Sequence, residues 1–177
     1  TELVEGVTVW RRDGMVPELI TEMGEEGEEV YRQSKELFGA FLDDRHVDVV
    51  QAHNMHLDFP DASAALASAC EEREVPYYLV LHNDLFIDRS EERTKRIVRE
   101  TDWKKLVTIS HFLEEKMAAE VPEVPRDKWT LIRHGIDLGA FRPVDEEKKE
   151  ALKETYGFEG RPVILHPGRF LPWKGIL

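Results

Sequence analysis

Five short apolar runs, each closed by a polar or small residue, restrict this chain to very few architectures. They are VDVVQAH (residues 47–53), YYLVLH (77–82), KLVTIS (105–110), KWTLIRHG (128–135) and PVILH (162–166). None shows the strict alternation of a half-exposed strand, so each reads as a strand covered on both faces. Helix-length segments lie between them. Val30, Tyr31, Leu37, Phe38, Phe41 and Leu42 fall at helical spacing across 28–44. Small residues dominate 61–74, charged residues dominate 89–101, and 111–120 follows Ser110. Segment 145–157 has an acidic start and a closing Gly157, as the helix dipole and C-cap rules favour. One more apolar alternation, GVTVW at 6–10, reads as a strand ahead of these units. Strands that alternate with helices and carry continuous apolar runs predict an α/β fold with a mostly parallel sheet flanked by helices.

Such sheets bind ligands outside the carboxyl ends of their strands. The residues at those ends are His53-Asn54, His82-Asn83, Ser110-His111, His134-Gly135 and His166 through Arg169. Five of the seven histidines therefore stand at or just past a strand end. The last end also carries Gly168-Arg169, followed by Lys174-Gly175, a cation pair in a glycine-bearing loop. A serine before a helix, such as Ser110, is an expected N-cap, and a helix N-terminus also attracts anionic groups. Asn54 and Asn83 suit hydrogen bonds to hydroxyls and are equally common turn formers.

Composition removes several function classes. The formal charge of -12 argues against a general nucleic-acid binder, which needs a basic face. Cys70 is the one cysteine, so an intrachain disulfide and a cysteine-based metal site are both excluded. Its small-residue setting reads as a buried structural thiol. The histidines lack the H-E-x-x-H spacing of zinc sites, and no metal is expected. No Walker loop, G-x-G-x-x-G or G-x-S-x-G is present. No apolar run approaches the roughly 20 residues that cross a bilayer, and no signal-peptide pattern opens the chain. The expectation is a cytoplasmic protein.

A boundary is expected near Gly135, Gly139 and Pro143, where 136–143 reads as the approach to a linker. That gives one domain over 1–143, and a linker helix with the first strand and loop of a second domain over 144–177.

The segments VDVVQAHNMHL, YYLVLHND, LVTISHFLEEKM, TLIRHGIDLGAFRP and PVILHPGRFLPWKGIL occur in an order that resembles the retaining glycosyltransferases of family 4. The ordered set covers most of 47–175 and is fairly specific, although any one segment alone is weak. The chain departs from the family pattern at Gln51, where a histidine is common, and at Arg133-His134, where Pro-Asn is frequent. The first departure bears on the acceptor site and the second on the hinge.

The resemblance implies the GT-B architecture, with a Rossmann-like first domain on the acceptor side. It implies transfer of a sugar from a nucleotide-sugar donor to an acceptor hydroxyl with retention, without a cofactor. Gly168, Arg169 and Lys174 are then expected to bind the donor diphosphate in place of a metal. Arg supplies a planar fork to phosphate oxygens and Lys a mobile point charge. His82 is the expected catalytic histidine, close to donor sugar and acceptor. His53, Asn54, Asn83, Ser110, His134 and Gly135 are expected to line the acceptor side or cleft. Peripheral membrane contact follows only if the acceptor is a lipid. The chain does not begin with Met and stops before the family's E-x7-E motif, so a fragment inactive alone is expected. Two other readings remain open: a non-catalytic α/β module that binds a sugar or a partner, and another GT-B enzyme such as an epimerase or phosphorylase.

Overall fold

A computed structural model describes residues 2–4, 7–9, 25–58, 60–83, 91–168 and 170. The chain divides into two compact units, Thr1–His134 and Gly135–Leu177.

The first unit holds the parallel sheet predicted from sequence. Its strands are β3 (Val50–His53), β4 (Tyr77–Leu81), β5 (Lys105–Thr108) and β6 (Trp129–Leu131), paired in that order and all parallel. The ladder aligns His53 with Val80, Leu81 with Thr108, and Thr108 with Leu131. The carboxyl ends of the four strands therefore form one edge. Leu79, Val80 and Leu81 are consecutive and all buried, which in a pleated strand means that both faces are covered.

The cover comes from α1 (Glu25–Arg45), α3 (Pro60–Glu71), α4 (Glu91–Glu100) and α5 (His111–Glu120). A single turn, α2 (Met55–Asp58), follows β3 directly, and a 3-10 turn (Arg126–Lys128) leads into β6. Helix α3 packs through Leu66 and through Ala62, Ala65, Ala69 and Cys70, small residues that let it approach its neighbours closely. Burial pushes the Cys70 thiol up to about 11, so it stays protonated near neutral pH. The two oxygens of Asp43 on α1 accept from Arg73 at 2.8 and 2.9 Å, which pins the end of α3 against α1. Trp103, 2 % exposed, closes α4: its indole N–H donates to the carbonyls of Ile97 and Val98, both at 3.2 Å. These carbonyls lie in the last turn, where helix partners run out, and Ile97 O also accepts from the Thr101 N–H at 3.3 Å.

One further strand expectation holds and another is overturned. The strand expected at 6–10 is β2 (Val7–Val9), and it pairs antiparallel with β1 (Glu2–Val4) in a separate two-stranded sheet. The strand expected at 162–166 is irregular backbone, with Ile164 97 % and Leu165 82 % exposed. Strand geometry depends on a ladder partner, and no strand among the described residues pairs with this run. In the second unit, α6 (Glu146–Thr155) behaves as its ends predict. Asp145 caps it by accepting from the Lys148 N–H at 2.8 Å. Gly157 takes φ +70°, and Phe158 N–H donates to Lys153 O while Gly157 N–H donates to Glu154 O, a Schellman motif.

The most enclosed strand residue tests this account of the core. Leu79→Ala, at a side chain with 0 % exposure, is expected to cost about 2–5 kcal/mol. Urea unfolding followed by far-UV circular dichroism measures it, and a loss below about 1 kcal/mol would contradict full enclosure of β4.

Candidate functional site

The carboxyl edge of the sheet gathers three histidines from distant parts of the sequence. His53 ends β3, His82 follows β4, and His134 lies three residues beyond β6. His53 Nδ1 is 2.8 Å from His82 Nε2, and His82 Nδ1 is 3.2 Å from His134 Nε2. The ring planes are near parallel, at 25° and 13°, with centroids 5.1 and 5.0 Å apart. Strand β5 lies between β4 and β6, so the His82–His134 contact closes over its carboxyl end. The row spans the edge from the first strand of the parallel sheet to the last.

Asn54 fixes the centre of this row. Its backbone adopts φ +54°, in the left-handed region that asparagine tolerates better than most residues. In that conformation its N–H donates to Val80 O at 3.0 Å, and its side-chain Oδ1 accepts from the His82 N–H at 2.9 Å. One residue thus continues the β3–β4 ladder and holds the first residue past β4. Ser110 is the N-cap of α5 and accepts from the Leu113 N–H at 3.2 Å. Asn83, His134 and Gly135 are exposed. Gly168 is exposed, and a Cβ there would stand 2.8 Å from His166 Nε2, so a side chain at that position needs the ring to shift. Arg169 and Lys174 lie outside the described residues.

The electrostatics disfavour charge at the centre of the row. His82 is held below the usual histidine range, first by burial and then by the like charges that His53 and His134 would carry. Among the described residues, no group of three or more His, Cys, Asp and Glu side chains is arranged to hold a metal ion.

Sequence reasoning missed His56. It sits on α2 with 0 % exposure, and among the described residues neither ring nitrogen has a hydrogen-bond partner. Burial, with a smaller push from His82, lowers its pKa to about 4. Its backbone carbonyl accepts from Thr94 Oγ1 at 3.1 Å, which ties this turn to α4. The available signal was the second histidine of HNMH, flanked by Met55 and Leu57 one turn after His53.

No protein-family model matches the chain. It is similar to a Bacillus subtilis (strain 168) protein named "Putative glycosyltransferase YtcC", with 30% identity over 101 residues. The match takes in 55% of this chain and 25% of the relative, so the chain spans about a quarter of that protein's length.

His56 sets a pH dependence of stability. Its folded pKa of about 4 lies below the unfolded value of about 6.5, so the unfolded state binds more protons between the two. Stability is then fully present above about pH 6.5 and falls as pH drops toward 4, by about 3 kcal/mol in all. His56→Phe is expected to remove most of this slope in urea titrations run across that range. A slope unchanged in the variant would assign the dependence to other groups.

Proposed function

We propose that this chain is the acceptor-side part of a GT-B glycosyltransferase, similar to the retaining family 4 enzymes. It would serve transfer of a sugar from a nucleotide sugar to an acceptor hydroxyl. The observation that carries the reading is the row of three histidines on the carboxyl edge of a parallel sheet, the edge where this class of sheet binds ligands. The similarity to a protein named as a glycosyltransferase supports it over a partner-binding module. In this reading residues 1–143 form the acceptor-side domain and 144–177 begin the donor side.

Glycosyl transfer breaks the bond from the anomeric carbon to the donor phosphate and forms one to the acceptor oxygen. The leaving diphosphate keeps the electron pair, and the hydroxyl loses its proton. Gly168, Arg169 and Lys174 are assigned to the diphosphate, where fixed cations stabilise developing negative charge. Asn54 and Asn83 are assigned to acceptor hydroxyls, and the histidine row centred on His82 to the proton.

The test is a nucleotide-sugar screen on the natural gene product that contains these residues, reading released nucleoside diphosphate. Arg169→Ala and Lys174→Ala are each expected to lower kcat/KM by roughly 10²–10³-fold, the usual effect of removing one preorganised donor to a developing anion. Unchanged turnover in both variants would overturn the diphosphate assignment. Failure of every nucleotide sugar to react would overturn the glycosyltransferase reading.

A further inference from the structure

His82 has both ring nitrogens engaged, one with His53 and one with His134. The nitrogens left over are at the ends of the row, His53 Nε2 and His134 Nδ1, and both of these residues are exposed. Proton counting then fixes what the row can do. Three neutral imidazoles carry three N–H groups and three bare nitrogens. The two internal contacts consume two of each. One end therefore presents a bare nitrogen, and the other end an N–H. Reversing both internal hydrogen bonds exchanges the ends. The row is a directional wire with two polarities and no net charge in either.

We propose that His53, His82 and His134 form a proton relay that takes the acceptor hydroxyl's proton at His53 Nε2 and releases one to water from His134 Nδ1. The proposal rests on the glycosyl-transfer reading above.

As the acceptor oxygen bonds to the anomeric carbon, its proton passes to His53 Nε2. The proton on His53 Nδ1 moves to His82 Nε2, the one on His82 Nδ1 moves to His134 Nε2, and water accepts the one on His134 Nδ1. One proton enters and one leaves. All three rings finish neutral in the opposite tautomer, and exchange with water at the two exposed ends restores the starting polarity. Entry is placed at His53 because Asn54, a side chain suited to hydroxyls, directly follows it at the end of β3. Asn54 keeps its NH2 group for this, since among the described residues only its Oδ1 is engaged, by the His82 N–H.

A single imidazole acting as base would instead leave a cation beside like neighbours. Among the described residues, the groups that disfavour charge on His82 are its own burial, His53 and His134. The buried His56 feels His82 in the same sense. A relay avoids that cost by never charging the centre. A metal ion shared by His53 and His82 fits their contact less well, because two nitrogens on one tetrahedral zinc stand about 3.3 Å apart, given Zn–N bonds of about 2.0–2.1 Å. The His53–His82 separation is 2.8 Å, the length of a hydrogen bond.

His82 and His134 act through His53, so the test needs readouts that a packing role would leave unmoved. In the 15N-histidine-labelled chain at pH 7.5, one scalar coupling across an N–H···N bond is expected for each of the two contacts. His82→Phe is expected to abolish both while leaving the backbone spectrum of β3 and β4 in place. On the natural gene product, the rate in mixed H2O and D2O is expected to bow, as several protons in flight require. His134→Phe is expected to lower kcat by about 10²-fold, near the low end for general acid–base catalysis, with KM unchanged and the bow lost. Absence of both couplings, or a His134→Phe enzyme with full kcat and an unchanged bow, would overturn the relay. Couplings present in a protein that turns over no nucleotide sugar would instead overturn the function on which it rests.

Discussion

The enclosure of β4 governs the rest of the structure. Leu79, Val80 and Leu81 have no exposed face, so this strand exists only with parallel partners at its sides and helices above and below. Parallel partners require crossover connections, and the chain supplies them as the helices between its strands. With sides and faces covered, the ends of the strands are what remains for solvent. Polar side chains that follow β3, β4 and β6 are thereby delivered to one edge without any of them contributing to the core.

Asn54 converts that general placement into a defined geometry. Strand ends usually fray, because the last ladder groups lack partners. Here the left-handed turn at Asn54 sends its N–H back to Val80 and its side chain to the His82 N–H, so the ladder is extended on both sides of the edge. Both bonds hold backbone of β4 or of the residue just past it, which leaves the His82 ring little freedom about where it begins. The ring contacts to His53 and His134 follow from that fixed origin. The conformation is costly for most side chains, and asparagine is among the residues that bear it best.

The sequence made the sheet legible and left the site half legible, for separable reasons. Apolar runs at 77–82 and 105–110 announce β4 and β5 because burial on both faces is a local demand on consecutive residues. The helix at 145–157 was readable from its ends, since Asp145 and Gly157 act within a few residues of their own backbone. The run at 162–166 satisfies the same apolar criterion and forms no strand, because pairing is a property of a neighbour and not of the run. The strand-end histidines were identifiable one by one. Their contact was not, since it joins positions 29 and 52 residues apart. His56 was hidden for the opposite reason: its apolar neighbours look like any buried helical turn, and an imidazole there without a partner has no local signature.

The hydrogen bonds also narrow what the edge has left for a ligand. Ser110 accepts from the Leu113 N–H as the cap of α5, and Asn54 has given its carbonyl oxygen to His82. Neither is available in the form that residue type alone suggests. His82, the residue with the most central position, has no nitrogen to spare while the row is intact. Recognition at this edge therefore falls to the ends of the row, to the Asn54 NH2 and to Asn83, all near or on the exposed surface. A row whose middle is committed and whose ends are open is poorly built to grip a ligand at its centre and well built to pass a proton through it. That difference, more than the number of histidines, is what the geometry adds to a list of strand-end residues.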